Sequence, residues 1–175
     1  MMASTTVEVV AYVGLGANLG VPAQTLRTAF RRLDALPQTQ LTTVSRLYRT
    51  PAWGVLDQPD FVNAVAQLLT ALPAQELLRA LLAVERDFGR QRAADGSDRW
   101  GPRSLDLDVL LYGEARIDEV GLHVPHPQMH RRAFVLVPLC EIAPDATIPG
   151  IGRVREVAAA FADAEGGSCE ALPEA

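Results

Sequence analysis

The 175-residue sequence contains no lysine, and all 16 of its basic residues are arginine. This absence excludes nucleotide sites built on a Walker A lysine, Schiff-base enzymes and lysine general bases. An anionic ligand would have to be held by arginine, histidine, backbone N–H groups or a metal ion, and the planar guanidinium fork suits phosphate oxygens. A GC-rich genome that replaces lysine by arginine would give the same composition, so the absence defines no site by itself.

Basic charge, cysteine and long apolar runs are also scarce. The sequence has 16 basic and 21 acidic residues, and the resulting net charge of −5 does not suit a protein that coats nucleic acid. No stretch approaches the roughly 18 apolar residues of a membrane span, and the N-terminus does not look like a signal peptide. Because Cys140 and Cys169 match no metal or disulfide spacing, a reducing cytoplasm is the expected location.

Hydrophobic residues make up 49% of the sequence, which is enough to build one well-packed domain at this length. We predict a single domain over residues 1–163. A flexible tail is predicted over residues 164–175, where Gly, Glu and Ala predominate.

Hydrophobic periodicity predicts the order β-α-β-β-α-β, followed by further helices. This order is typical of the ferredoxin-like α+β fold, an antiparallel sheet with helices packed on one side. The predicted strands are Val7–Leu15, Thr42–Arg49, Phe61–Leu69 and Ser104–Tyr112, with a short strand between Gly113 and Pro127. Four helices are predicted: one begins at Pro22, one begins at Pro73, and the last two are Arg131–Ile142 and Val154–Phe161.

The last long strand, Ser104–Tyr112, carries two aspartates. A period of two places Asp106 and Asp108 on one face, about 7 Å apart. Two carboxylates this close repel each other, which favours a bound cation, and Mg²⁺ prefers carboxylate and phosphate oxygens. A solvated strand face would explain the pair equally well. The apolar residues expected on the opposite face are Leu105, Leu107, Val109 and Leu111.

Seven arginines lie close to this pair in the sequence. Carboxylates for a metal beside arginines for phosphate are typical of phosphoryl transfer. Ordinary ion pairs with acidic neighbours such as Glu85 and Asp87 would explain some of them, Arg86 and Arg131 above all. The segment Arg90–Arg103 lacks a large apolar anchor before Trp100, so we expect a mobile lid that its substrates order. The arginines are Arg86, Arg90, Arg92, Arg99, Arg103, Arg131 and Arg132.

Glycines and histidines form two further motifs. The run Gly14–Gly20 follows a strand, but the dinucleotide fingerprint requires glycine where Leu19 stands, so a tight structural turn is expected. His123, His126 and His130 could form a zinc site. Because prolines interrupt the helix that would align them, a histidine that donates to phosphate is the favoured interpretation.

Aromatic and amide side chains suggest a site for a flat ligand. Trp53, Phe61 and Phe134 lie near predicted loops, and Asn63 lies within an apolar strand. A heterocycle held between two rings and read by an amide would use such residues. Core packing explains either phenylalanine equally well, whereas a buried amide needs a partner that a ligand can supply.

Several runs of sequence stand out together: Gly16–Gly20, Tyr48–Pro51, Asp57–Ala64, Arg99–Asp108 and Val124–His126. They resemble the motifs of the 6-hydroxymethyl-7,8-dihydropterin pyrophosphokinase family of folate biosynthesis. The Arg-Trp-Gly-Pro-Arg-Ser-Leu-Asp-Leu-Asp run is very specific, and the resemblance extends from about Val9 to Pro144.

The resemblance implies that Mg·ATP donates its β,γ-diphosphoryl group to the pterin hydroxymethyl oxygen, with AMP as the leaving group. It implies two small-molecule substrates and two Mg²⁺ ions on Asp106 and Asp108, and we expect the protein to be a monomer. The residues implied for pterin are Thr50, Pro51, Trp53, Phe61, Asn63 and Phe134. Those implied for ATP are Arg90, Arg92, Trp100, Arg103, His126 and Arg132, and the catalytic group comprises Arg92, Arg103, Asp106 and Asp108.

The chain also departs from the family pattern. Ala93 stands where many members have a lysine, and Ala93–Asp98 is a few residues longer than in compact members. Pro127 follows the histidine, and Gly121 and His123 stand on the expected adenine side. From the residues alone, two other classes remain open: a nucleotidyltransferase, which would release pyrophosphate, and a ferredoxin-like module that binds RNA or a regulatory ligand.

Overall fold

The computed structural model describes residues 6–51, 58–89, 104–164 and 169–173. These ranges contain four α-helices, a short 3-10 helix and ten strands. The helices are α1 (Pro22–Asp34), α2 (Ala74–Asp87), α3 (Ala133–Ile142) and α4 (Val154–Ala164), and the 3-10 helix is Met129–Arg131. The strands are β1 (Val9–Ala17), β2 (Thr39–Val44), β3 (Tyr48–Thr50), β4 (Phe61–Thr70), β5 (Asp106–Tyr112), β6 (Ile117–Glu119), β7 (Leu122–Val124), β8 (Thr147–Ile148), β9 (Gly152–Arg153) and β10 (Glu170–Ala171).

The main sheet is antiparallel and has the order β10-β3-β4-β1-β5. Strand β2 also pairs with β4, next to the part of β4 that pairs with β3. The pairs β6–β7 and β8–β9 form separate two-stranded sheets. Strand β1 therefore lies between β4, which carries Asn63, and β5, which carries the two aspartates.

Helices cover both faces of this sheet, and two hydrophobic clusters result. Helices α1 and α2 pack on one face through residues such as Leu26 and Leu77, which form the first cluster with β1, β4 and β5. On the other face, Leu136 of α3 packs with Val65 and Leu110 in the second cluster, to which α4 also contributes. The prediction that all helices pack on one side is therefore wrong for α3 and α4, because β4 is apolar on both of its faces.

The predicted strand Thr42–Arg49 is two strands. The chain breaks at Ser45, whose backbone N–H donates to Val65 O at 2.9 Å. Its hydroxyl accepts the Val65 N–H at 2.9 Å and so replaces a backbone carbonyl in the ladder. This substitution separates β2 from β3 while both remain attached to β4.

A β-bulge in β5 changes the face of the sheet to which the side chains after it point. Val13 of β1 pairs with Val109, whereas Tyr12 pairs with Leu111, so Leu110 is the extra residue. Leu107 and Val109 therefore belong to the first cluster, as predicted, but Leu111 belongs to the second. The prediction that Leu111 shares their face is wrong because the bulge reverses the alternation after Val109.

Residues 169–173, from the segment predicted to be a tail, lie against the sheet. Glu170 and Ala171 pair with Arg49 and Tyr48 of β3. The Leu172 N–H donates to Leu47 O at 2.8 Å, and the Leu172 side chain packs against the first cluster. No helix in the described parts of the chain is long and apolar enough to cross a membrane.

Candidate active site

Three residues in adjacent strands form a row across one face of the sheet. Gly16 of β1 pairs with Asp106 on one side and with Asn63 on the other. Directly paired residues of antiparallel strands point to the same face. At a strand spacing of about 4.8 Å, the backbones of Asp106 and Asn63 are about 10 Å apart. The acidic group and the amide thus stand on opposite sides of a strand that has no side chain between them, and we call this space over Gly16, between Asp106 and Asn63, the groove.

Two glycines of β1 form the floor between these side chains. Gly14 lies in the next row, between Asp108 and Val65. A Cβ added to Gly16 would lie 2.8 Å from Asn63 Oδ1, closer than real Cβ atoms approach other atoms. The predicted tight turn is therefore confined to the end of the glycine run, where Gly20 has a φ of +64°, whereas Gly16 is required by its close approach to Asn63.

Asp106 and Asp108 are partly buried and lie on the same face, as their spacing predicts. Between them, the Leu107 side chain is buried in the first cluster. Its N–H donates to Glu85 Oε1 at 2.9 Å. Glu85, which is 2% exposed, therefore anchors the backbone between the two aspartates.

His126 lies beside β5, because its backbone N–H donates to Leu110 O at 3.0 Å. Its Nδ1 accepts the N–H of Gln128 at 3.1 Å, so the proton of the neutral ring is on Nε2. Burial, followed by the positive charge of Arg132, lowers the pKa of His126 to about 4, although Asp106 opposes this shift. At neutral pH, His126 is thus a neutral hydrogen-bond donor, which suits a phosphate oxygen.

The start of α3 brings a cation and a ring to this region. Arg132 precedes α3, and its guanidinium carbon is 5.5 Å from the centre of the Phe134 ring. Phe134 packs against the second cluster, on the sheet face that carries Val65. Because the charge of Arg132 also lowers the pKa of His126, Arg132 is close to both the ring and the histidine.

Asn63 and its neighbours form the other wall of the groove. Asn63 is buried, and its Nδ2 donates to Thr50 Oγ1 at 2.7 Å. Its Oδ1 lies on the side of Gly16. Phe61 is two residues earlier on β4 and therefore shares the face of Asn63, whereas Pro51 is exposed just after β3. The amide thus has a structural partner for its donor group, and its oxygen is directed toward the groove.

Several predicted site residues lie outside the described ranges: Trp53, Arg90, Arg92, Trp100 and Arg103, together with the predicted lid Arg90–Arg103. Of the other arginines, Arg86 and Arg131 are exposed. Asp87, which the sequence suggests as a partner for nearby arginines, forms an ion pair with Arg32.

The donor set fits Mg²⁺ only in part. In the described ranges, no group of three or more His, Cys, Asp or Glu side chains is arranged to hold a metal ion. Asp106 and Asp108 are a pair, and Mg²⁺ characteristically combines one or two carboxylates with substrate phosphates and water. The pair therefore fits a magnesium ion that enters with a phosphate ligand, and the three histidines of the zinc hypothesis form no such group in these ranges.

Glu85 and Gly16 were missed as site residues by sequence reasoning. From the sequence, Glu85 is expected to be only an acidic neighbour of several arginines, and Gly16 only part of a turn. The signal that could have found Glu85 is weak: a helical period from Leu77 and Leu81 places it on the buried side of α2.

Comparison with known proteins gives a consistent result. A family model for 7,8-dihydro-6-hydroxymethylpterin-pyrophosphokinase matches residues 12–144. The 2-amino-4-hydroxy-6-hydroxymethyldihydropteridine pyrophosphokinase of Haemophilus influenzae is 43% identical over 155 residues, covering 89% of this chain and 94% of that protein. The enzyme of the same name from Pseudomonas aeruginosa is 47% identical over 149 residues, covering 85% and 90%.

Solved structures show the same fold. A Plasmodium falciparum HPPK-DHPS structure with pteroate matches with a TM-score of 0.70 at 12% identity. The match covers 93% of this chain but 44% of the plasmodial one, so the present chain spans less than half of that protein. Sequence and fold agree, and the chain belongs to the 7,8-dihydro-6-hydroxymethylpterin-pyrophosphokinase family.

Proposed function

We propose that the groove over β1 is where this pyrophosphokinase transfers the diphosphoryl group of ATP to 6-hydroxymethyl-7,8-dihydropterin. The hydroxymethyl oxygen forms a bond to the β-phosphorus of ATP and loses its proton. The bond from the β-phosphorus to the oxygen shared with the α-phosphate breaks, and that oxygen leaves with AMP. The products are AMP and the pterin diphosphate, an intermediate of folate biosynthesis.

One observation carries this proposal: Asp106, Gly16 and Asn63 form a continuous row on one sheet face. A ligand that lies over Gly16 reaches a hydrogen-bonding amide at one end and two carboxylates at the other. This is the arrangement that a phosphoryl transfer to a flat heterocycle requires, since the reaction depends on positioning and charge stabilisation.

The heterocycle is assigned to the β4 side of the groove. Asn63 Oδ1 accepts an N–H from the ring edge, and Thr50 fixes the amide in that orientation through its 2.7 Å hydrogen bond. Phe61 and Phe134 hold the two faces of the ring system. Backbone groups of Thr50, Pro51 and Trp53 complete the contacts with the edge.

The nucleotide is assigned to the β5 side. Asp106 and Asp108 would hold two Mg²⁺ ions, which neutralise charge on the phosphates when bound. His126 donates from Nε2 to a phosphate oxygen, and Arg132 adds a positive charge near it. The remaining phosphate contacts, and the catalytic arginines among them, are assigned to Arg90, Arg92, Trp100 and Arg103.

The finer features of fold and cellular context are also proposals. Strand β1 lies between β4 and β5, α1 connects β1 to β2, and α2 connects β4 to β5. This connectivity supports a ferredoxin-like topology for a single domain over residues 1–163. We assign the chain to the cytoplasm as a monomer that binds no nucleic acid, in keeping with its net charge of −5 and the free thiols Cys140 and Cys169.

The products of the reaction test this function. The protein is incubated with ATP, Mg²⁺ and the reduced pterin, and phosphorus NMR identifies the phosphorylated species. We expect AMP and a pterin diphosphate in equal amounts. Release of pyrophosphate with an adenylylated pterin would instead show a nucleotidyltransferase.

A further inference from the structure

A network of side chains joins β3 to the C-terminal part of α3. Tyr48 Oη donates a hydrogen bond to Glu141 Oε1. Arg46 contacts the same carboxylate twice, through its backbone N–H to Oε2 at 2.9 Å and through Nε to Oε1 at 3.2 Å. The Arg46 guanidinium carbon also lies 5.8 Å from the centre of the Tyr48 ring. Both oxygens of Glu141 are therefore held by the segment that leads into β3.

Burial and charge strengthen this network. Tyr48 is 3% exposed, and burial, followed by the hydrogen bond to Glu141, raises the pKa of Tyr48 to about 12. Burial alone would raise the pKa of Glu141, but the hydrogen bonds from Tyr48 and Arg46 outweigh it and lower that pKa. At neutral pH, a protonated phenol thus donates to an ionised carboxylate, which is a charge-assisted hydrogen bond.

The two ends of the network belong to elements that carry the two sides of the proposed pterin site. Tyr48 pairs directly with Asn63, so both side chains point to the same face. Thr50, whose Oγ1 accepts a hydrogen bond from Nδ2 of Asn63, is the next residue of β3 on this face. Glu141 is on α3, two helical turns after Phe134 and on the same side of the helix.

We propose that Tyr48 and Glu141 are positioning residues that set the distance between the amide of Asn63 and the ring of Phe134. Neither residue contacts the heterocycle in this proposal. Their bond fixes α3 against β3, so the ring at the start of α3 and the amide on β4 move as one unit. The inference rests on the proposed assignment of Asn63 and Phe134 to pterin.

In the part of the chain that the structure describes, the network includes none of the residues assigned to the nucleotide. Asp106 and Asp108 are fixed through β1 and through the contact of Glu85 with Leu107, and His126 is fixed by Leu110. Loss of the network should therefore act on pterin binding and leave ATP binding almost unchanged. A residue that served only general stability would weaken both.

Steady-state kinetics with each substrate varied in turn test the proposal. Tyr48→Phe removes the hydroxyl and keeps the ring, and Glu141→Ala removes the acceptor. We expect both to raise KM for pterin about tenfold, as the loss of a charge-assisted hydrogen bond predicts, with KM for ATP within about twofold. Glu141→Gln keeps an acceptor oxygen for Tyr48 and should restore most of the pterin affinity.

Two reference variants make the outcome decisive. Asp145→Ala breaks an exposed ion pair between Asp145 and Arg155, neither of which belongs to the network, and should leave both KM values unchanged. Asn63→Ala tests the pterin assignment itself. The positioning role is refuted if Asn63→Ala raises KM for pterin while Tyr48→Phe and Glu141→Ala do not. It is also refuted if Tyr48→Phe and Glu141→Ala raise KM for pterin and KM for ATP equally. If Asn63→Ala has no effect either, the proposed pterin site is at fault.

Discussion

Asp106 and Asp108 are the residues whose loss should affect the chemistry most. In the proposed site, removing either carboxylate would remove a ligand for the Mg²⁺ that would neutralise charge on the transferring phosphates. We expect Asp106→Ala or Asp108→Ala to lower turnover about a thousandfold or more. Turnover is measured with saturating ATP and pterin, and circular dichroism verifies the fold.

Asp118 offers a matched control for that experiment. It is exposed, and its Oδ1 lies 2.8 Å from His123 Nδ1 on the β6–β7 hairpin. Asp118→Ala should retain turnover close to that of the native chain. Turnover within tenfold of the native value in Asp106→Ala or Asp108→Ala would rule out the metal role of that residue.

Gly16 is required by space rather than by backbone conformation. A methyl group there would meet Asn63 Oδ1 at 2.8 Å, so Gly16→Ala should displace the amide and break its bond to Thr50. We expect KM for pterin to rise about tenfold. Gly14→Ala is the control, because its methyl group would meet Leu110 at an ordinary 3.4 Å. Equal effects of the two changes on KM for pterin would contradict this account.

Tyr48 should make the protein sensitive to alkali. Its pKa is about 12 in the folded chain, against an ordinary value of 10.0, so the folded state holds this proton more tightly than the unfolded state. The resulting stabilisation is complete below pH 10 and is lost as the pH rises toward 12. We expect the free energy of unfolding to fall less over this range in Tyr48→Phe than in the native chain.

Denaturant unfolding at a series of pH values measures the difference. Tyr12 and Tyr112 also have raised pKa values, but they are present in both proteins and cancel. The absence of lysine removes side-chain amines from this titration. Parallel curves for the two proteins between pH 10 and 12 would show that Tyr48 does not titrate as expected.

At the scale of elements, the contact between α2 and β5 is the one most open to test. Glu85→Ala would leave the buried N–H of Leu107 without the 2.9 Å partner that it now has. We expect the free energy of unfolding to fall by about 1–3 kcal/mol, as measured by denaturant titration. Glu85→Gln retains an acceptor oxygen and should lose less. A loss as large in Glu85→Gln would show that the charge, rather than this hydrogen bond, matters.

Elements defined by local pattern could be predicted from the sequence, and elements defined by a distant partner could not. Helix α1 begins at Pro22 and α2 directly after Pro73, as the prolines and the apolar periodicity predict. The break at Ser45 and the bulge at Leu110 depend on pairing with β4 and β1. Helix α3 is apolar around its circumference, so its sequence does not indicate which face of the sheet it covers.

The same distinction applies to the site. Asp106, Asp108 and Asn63 could be identified because each is a polar residue within an apolar strand. Tyr48 and Glu141 are 93 residues apart in the chain, and nothing in their local sequence indicates that they meet. Candidate ligand-binding residues could thus be proposed from the sequence, whereas the residues proposed to hold them in place became visible only in three dimensions.

For the molecule as a whole, the sheet separates two hydrophobic clusters with different tasks. The first, beneath α1 and α2, has no part in the groove. The second lies on the face of the groove and includes Phe134 at its border. Substitutions in the first cluster should therefore affect stability with little effect on KM, and those in the second should affect both.

Strand β10 has a consequence for the behaviour of the protein in concentrated solution. It covers β3, which would otherwise present unpaired N–H and C=O groups at the edge of the sheet. An open edge is a template for pairing with another chain. We expect a chain ending at residue 168 to self-associate as its concentration rises, as measured by sedimentation velocity, whereas a chain ending at Pro173 should not. Unchanged sedimentation of the shorter chain would show that the edge is protected in another way. Self-association of the shorter chain would show that β10 prevents aggregation by pairing with the edge of the sheet.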